Sequence, residues 1–295
     1  MVTILALAAA VLYGTADFLG GVASRRASVF AVLALTVPAG AVIMVLLALL
    51  GQVPALGGLL GHGGVGAPAS AGDWSAVGWA AASGVCGAGG LISFYAGFAS
   101  APISVVAPVA ALVSAVLPAG VAIAGGERPA ATVIAGGLIC LVAIVLVSAQ
   151  PADHAGTRGR LLALGYGAAA GVGFGLFFIF LKNAGQSGVL WPVAISRSAG
   201  TVVAFGLALA TRTRLRPGRD GITRIAPLSG AIDAAANVCY VLATRAGLFG
   251  LAVVITSLYP GMTVLLARVL LGERMRWVQR AGLLLAAAGV VLVTV

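Results

Sequence analysis

Residues Tyr240 to Val295 repeat residues Tyr95 to Ser148, and this internal copy limits the possible folds more than any other feature of the sequence. Each copy runs through an apolar segment and breaks at a tripeptide, Gly126-Glu127-Arg128 in one and Gly272-Glu273-Arg274 in the other. A second apolar segment follows, marked by Gly136 or Gly282 ten residues after the first glycine. The two glutamates are 146 residues apart (273 − 127), as are Gly136 and Gly282 (282 − 136). Tyr95 and Tyr240 are 145 apart, so one residue has been gained or lost ahead of the tripeptide. Two copies of one sequence unit imply two copies of one structural unit.

Composition decides the solvent in which those units fold. The 295 residues are 61% hydrophobic and 8% charged, with a mean hydropathy of +1.14. Soluble domains carry about 25% charged residues, so this chain belongs in a membrane. Its charges cluster between apolar runs of roughly 20 residues, the length that crosses a hydrocarbon core of about 30 Å. Lipid offers backbone amides no partner, and the strand alternation of a barrel is absent, so the spans must be helices. Forty-three glycines fit this setting, because small residues let membrane helices approach closely.

Two function classes and a cleaved leader are not expected at this level. The net charge of +10 comes from arginines lying between spans, which form no continuous patch for nucleic acid. Cys86, Cys140 and Cys239 fall in apolar segments at spacings that match no metal motif, so neither a metal nor another cofactor is expected. No Lys or Arg precedes the first apolar run, which reads as a retained span and not as a signal peptide.

Ten spans are expected, at about 2–22, 28–50, 74–98, 103–124, 130–149, 161–181, 191–211, 225–244, 248–271 and 277–295. A Gly-rich linker holding His62 occupies Gly51 to Gly72, a polar one holding His154 runs from Gln150 to Arg158, and a basic stretch covers Arg212 to Arg224. Residues 1–149 thus form a first five-helix repeat, 150–160 a linker and 161–295 a second repeat. Because five is odd, the second copy enters the membrane from the opposite side. The expected fold is all-α, an integral membrane protein of ten transmembrane helices in two inverted five-helix repeats, an architecture of secondary transporters. Twelve arginines lie in odd-numbered connections, against Arg128, Lys182 and Arg245 in even-numbered ones. The positive-inside rule then puts both termini outside.

Within the spans, ionisable groups mark candidate sites, since each costs roughly 2.5–3.5 kcal/mol at a helix centre on insertion scales. Asp233 sits mid-way along the eighth span and Asp17 two-thirds along the first. Asp233, Asn237 and Tyr240 are spaced i, i+4 and i+7, so they share one helix face, either lining a wet pocket or tying helices together. The matching places in the first copy are Ala88, Ile92 and Tyr95, so only the tyrosine recurs. Tyr13, Asp17 and Phe18 form a similar group, with Gly14 beside them. Arg197 is the candidate countercharge for either aspartate, unless it snorkels to the interface as Arg268 is expected to do. Pro108, Pro118 and Pro260 are expected to interrupt the fourth and ninth spans, with Ser114 and Ser257 near the kinks. Glu127 and Glu273 are expected to be structural, each capping the helix that follows it or locking the loop. Gly167, Gly171 and Gly175 make a smooth groove on the sixth span, suited to packing against a neighbour.

The Gly126-Glu127-Arg128-Pro129 and Gly272-Glu273-Arg274 turns, Gly136 and Gly282, Leu258-Tyr259-Pro260 and Tyr13-Gly14 together resemble the EamA-type carriers of the drug/metabolite transporter superfamily. The resemblance spans essentially the whole chain, although Gly173-Phe174 stands where the second copy would repeat Tyr13-Gly14. It implies a ten-helix carrier in the cell membrane with a central cavity, moving small metabolites or drugs by alternating access. Export is frequent among such carriers, and proton coupling is common.

From these readings we expect a secondary active transporter, an exporter of small polar or amphipathic molecules with protons as the candidate coupling ion. Its partners are a small-molecule substrate and the lipid bilayer, with a homodimer as one permitted assembly. Asp233, Asn237, Tyr240, Asp17, Tyr13, Tyr95, Ser257 and Tyr259 are the expected substrate contacts, and Phe174 and Phe177 the apolar walls. An intramembrane enzyme is the main rival, but both histidines lie in linkers and no nucleophile, base and phosphate loop come together. A channel, or a membrane scaffold that binds without transporting, completes the alternatives.

Overall fold

The computed structural model describes residues 1–24, 29–50, 74–100, 103–148, 157–185, 188–211, 222–271 and 276–294. Every element among them is an α-helix: α1 (Val2–Ser24), α2 (Val29–Leu50), α3 (Trp74–Ser100), α4 (Ile103–Ala124), α5 (Ala131–Ser148), α6 (Thr157–Ala184), α7 (Leu190–Ala210), α8 (Ile222–Ala246), α9 (Phe249–Thr256), α10 (Tyr259–Leu271) and α11 (Trp277–Thr294). Six of these are long and apolar enough to cross a bilayer, and four shorter apolar stretches accompany them: Val109–Ala124, Ala131–Leu146, Phe249–Thr263 and Trp277–Leu292. Large apolar side chains such as Ile4, Val42, Leu138, Leu209 and Leu284 face outward. That exterior fits lipid and would be untenable in water, so the chain is a multi-pass membrane protein.

The prolines act differently from expectation. α4 runs unbroken from Ile103 to Ala124 despite Pro108 and Pro118, which corrects the expected interruption there. The ninth span does break, between Thr256 and Tyr259. Pro260 then falls in the first turn of α10, where a helix has no use for the missing N–H. At the break the amides of Ser257, Leu258 and Gly261 reach the carbonyls of Val253, Ile255 and Leu258, at 2.9, 3.1 and 2.9 Å.

Packing joins helices from opposite ends of the sequence. The main contacts are α3 with α6, α1 with α8, α5 with α11, α4 with α6, α2 with α7, α2 with α8, α3 with α7, and α1 with α9 and α10. Exchange α1 for α6, α2 for α7, α3 for α8, α4 for α9–α10 and α5 for α11, and the same pairs return. Glycines fix two of the closest crossings. A Cβ on Gly84 would strike the Ser196 carbonyl oxygen, and one on Gly230 would strike that of Thr36. Gly84 and Gly230 are 146 residues apart, and Thr36 and Ser196 are 160 apart, so these crossings are counterparts.

The glycine groove of α6 packs on α4. A Cβ on Gly171 would lie 2.5 Å from Val113 Cβ and 2.8 Å from the Ala110 carbonyl oxygen, and Gly167 and Gly175 meet Val109 and Leu117 similarly.

The first Gly-Glu-Arg turn has a clear local logic. Gly126 takes φ +99°, the left-handed conformation that ends many helices. Its amide bonds Ile123 O at 3.0 Å, and the Glu127 amide bonds Ala122 O at 3.0 Å, the paired closure of a Schellman motif. Glu127 was expected to cap the helix after it; instead its carboxylate accepts from the Phe249 and Gly250 amides at 2.7 and 3.1 Å, the first residues of α9. No α9 side chain caps that end. Its free N–H groups therefore take an anion from the other half of the chain, consistent with the partial positive charge there. The Glu273 turn lies outside the described residues.

Candidate functional site

The polar side chains gather where α1, α7 and α8 meet. Asp233 and Asn237 lie one turn apart on α8, and Asn237 Nδ2 donates to the Asp233 carbonyl at 2.6 Å. Tyr13 of α1 donates its hydroxyl to Asn237 Oδ1 at 2.8 Å. Arg197 of α7 forms an ion pair with the Asp233 carboxylate and reaches the Asp233 carbonyl at 3.4 Å. The paired side chains keep only 14% and 20% exposure, so this contact is largely screened from bulk water. A charge in a membrane helix must find such a partner or neutralise.

Aromatic rings enclose the cluster. Phe178 packs edge-on to Tyr13 at 6.1 Å between centroids, and against Tyr240 at 4.7 Å. Tyr259, the first residue of α10, meets Tyr13 at 6.4 Å. Gly14 permits that approach, because a Cβ there would collide with the Tyr259 carbonyl oxygen and with Met262 Cβ. Thr263 Oγ1 closes the same crossing by donating to Gly14 O at 3.0 Å.

Asp17 differs from Asp233. It continues the stripe Ala6, Ala10, Tyr13 along α1, whose members are 0%, 4% and 8% exposed, yet Asp17 itself is exposed. The lipid-facing residues Ile4 and Val11 lie on the opposite side of the helix. Among the described residues Asp17 has no ion pair or side-chain hydrogen bond.

The match to a known family joins this geometry to a class of proteins. Residues 161–295 fit the EamA-like transporter family. That stretch of the chain is thus similar to EamA-like transporters. One solved crystal structure superposes on it with a TM-score of 0.76 over 99% of this chain and 96% of the other, at 17% sequence identity, a likeness of fold. Among curated proteins none matches. As EamA proteins are membrane transporters and not enzymes, this match favours a carrier over catalysis.

Only some of the expected site residues come together. Tyr13, Asn237, Asp233 and Arg197 form one connected cluster, and Arg197 is paired, not snorkelling. Tyr240 and Asn237 are fully buried with protein partners, Tyr240 donating to Phe178 O at 2.8 Å, so the stripe they share with Asp233 serves as helix ties at those two positions. Phe177 packs edge-on to Phe178 at 5.3 Å, whereas Phe174 pairs with Phe94 of α3 at 5.9 Å. The Ser257 and Thr256 hydroxyls are buried at the α9–α10 break with no hydrogen-bond partner among the described residues. The Tyr95 and Arg268 side chains, both linker histidines and most of the basic stretch before α8 lie outside the described residues. Phe178 and Ser196 were missed by sequence reasoning. Phe178 acts through its ring and its carbonyl, and Ser196 through a 2.6 Å hydrogen bond to Ser83, contacts that leave no sequence pattern. Among the described residues no three potential ligands come together for a metal.

Proposed function

We propose that the chain is a secondary active transporter that exports small polar or amphipathic organic molecules by alternating access. Its units are residues 1–149 and 161–295, joined by 150–160 and inverted relative to each other in the cell membrane. The observation that carries this reading is the Tyr13–Asn237–Asp233–Arg197 cluster, a charged and hydrogen-bonded group that joins the two units inside an EamA-like bundle. Membrane-embedded ion pairs are costly to build and mark transport pathways. The exchange symmetry of the helix contacts and the counterpart crossings at Gly84 and Gly230 support the inverted repeat.

In this mechanism the halves rock about the cluster, with the α9–α10 break and the glycine-smoothed α4–α6 contact as the places that yield. Proton coupling runs through Asp233, because a proton there replaces its bond to Arg197 and frees the two helices to separate. Proteoliposomes preloaded with a metabolite mixture test the reading. Saturable flux accelerated by substrate on the far side is expected. Non-saturating flux would make the protein a channel, and binding without flux a scaffold.

A further inference from the structure

The short helix α9 is held at one end and under-bonded at the other. At its start the Phe249 and Gly250 amides donate to the two Glu127 oxygens at 2.7 and 3.1 Å, a carboxylate supplied by the turn after α4. Lys182 of α6 places its Nζ 5.3 Å from the centre of the Phe249 ring. A Cβ on Gly250 would lie 3.3 Å from Ala122 Cβ and 3.4 Å from Glu127 Oε2, so the start of α9 lies directly on α4.

The far end of α9 lacks such bonds. Pro260 has no amide to offer the Thr256 carbonyl four residues before it. The Leu258 amide turns to Ile255 O at 3.1 Å, in place of the Val254 O that an unbroken helix would use. The Thr256 and Ser257 hydroxyls find no hydrogen-bond partner among the described residues. Both residues are 0% exposed, so no water-sized space adjoins them. A buried hydroxyl without a bond weakens the state that buries it and is relieved in one that admits water. We infer that α9 is a strap, fastened by Glu127 and loaded by Thr256 and Ser257: when its first turn leaves the Glu127 carboxylate, the break opens and the two hydroxyls become hydrated. The inference rests on the carrier reading for the meaning of this motion, a step of alternating access, and names the groups that set its balance. The two ends of α9 therefore act with opposite sign. A cap that never let go would make Glu127 a matter of stability alone.

Ala122 is 6% exposed and lies under the start of α9, so a thiol there reports lifting of the strap. Ala122→Cys is placed in a full chain whose Cys86, Cys140 and Cys239 are replaced, held in nanodiscs and treated with a water-soluble maleimide. A second chain keeps Cys140, which is 0% exposed, as its sole thiol and reports global opening. The thiol at position 122 is expected to react while Cys140 does not. Glu127→Ala is expected to speed that reaction about fivefold, and Thr256→Val with Ser257→Ala to slow it about fivefold. Equal rates at the two thiols would mean that α9 moves only when the whole chain opens, and would overturn the inference. An unchanged or faster rate in the Thr256→Val, Ser257→Ala chain would overturn it too, and that chain is expected to fold because it loses only unbonded polar groups. Labelling that responds as stated in a protein without saturable flux would leave the strap and sink the carrier reading. Saturable flux with an unreactive thiol at position 122 would do the reverse.

Discussion

Arg197 and Asp233 lie 36 residues apart on neighbouring helices, and each is tolerated in the membrane because the other is there. Removing one partner of a largely buried pair strands the other. Asp233→Asn should therefore lower stability by about 3 kcal/mol, seen as a fall in the melting temperature of detergent-solubilised protein. Replacing both residues with leucine should recover most of that loss while abolishing coupled flux. Full proton-driven transport by Asp233→Asn would remove this residue from the mechanism. The face shared by Asp233, Asn237 and Tyr240 was legible in their spacing, since helix geometry fixes it locally. Their partners were not. Tyr13 lies 224 residues from Asn237, and nothing in either segment encodes the other. Whether the stripe lined water or tied helices depended on that missing information.

Helices and turns carry the next set of consequences. The Gly126-Glu127 turn was recognisable as a repeated motif, and Gly126 performs the helix-ending role its residue type favours. The target of Glu127 was misread because capping was sought along the chain, whereas α9 offered its free amides across space. Glu127→Ala should cost about 1–2 kcal/mol by orphaning the Phe249 and Gly250 amides, and Glu127→Gln about half of that. A thermal-melt series on the three proteins checks the order. Gly171 supplies a second test. Its missing Cβ lets α6 lie against Val113 and the Ala110 carbonyl, so Gly171→Leu should force the helices apart, with loss of folded yield or of transport. An equivalent change at Gly137, where a Cβ meets nothing within 4 Å, should be silent in both assays. Proline was the poorer guide, because its effect depends on position in a helix: α4 absorbs two, and α10 begins beside one.

At the level of the molecule, hydropathy alone placed each span close to the observed helix, with the ninth differing by its internal break. The reason is physical: lipid requires all backbone groups to be satisfied within a span, so length and apolar content nearly determine the element. How the helices are arranged is a separate matter, on which hydropathy is silent. If an odd number of helices was doubled, equivalent turns must lie on opposite faces, and the site between α1, α7 and α8 lies where the inverted units meet. Single cysteines at Arg128 and Arg274, introduced after Cys86, Cys140 and Cys239 are replaced, test this with a membrane-impermeant thiol reagent applied to intact cells. The account predicts labelling at position 128 from outside and at position 274 only after the membrane is opened. Labelling of both from the same side would contradict it.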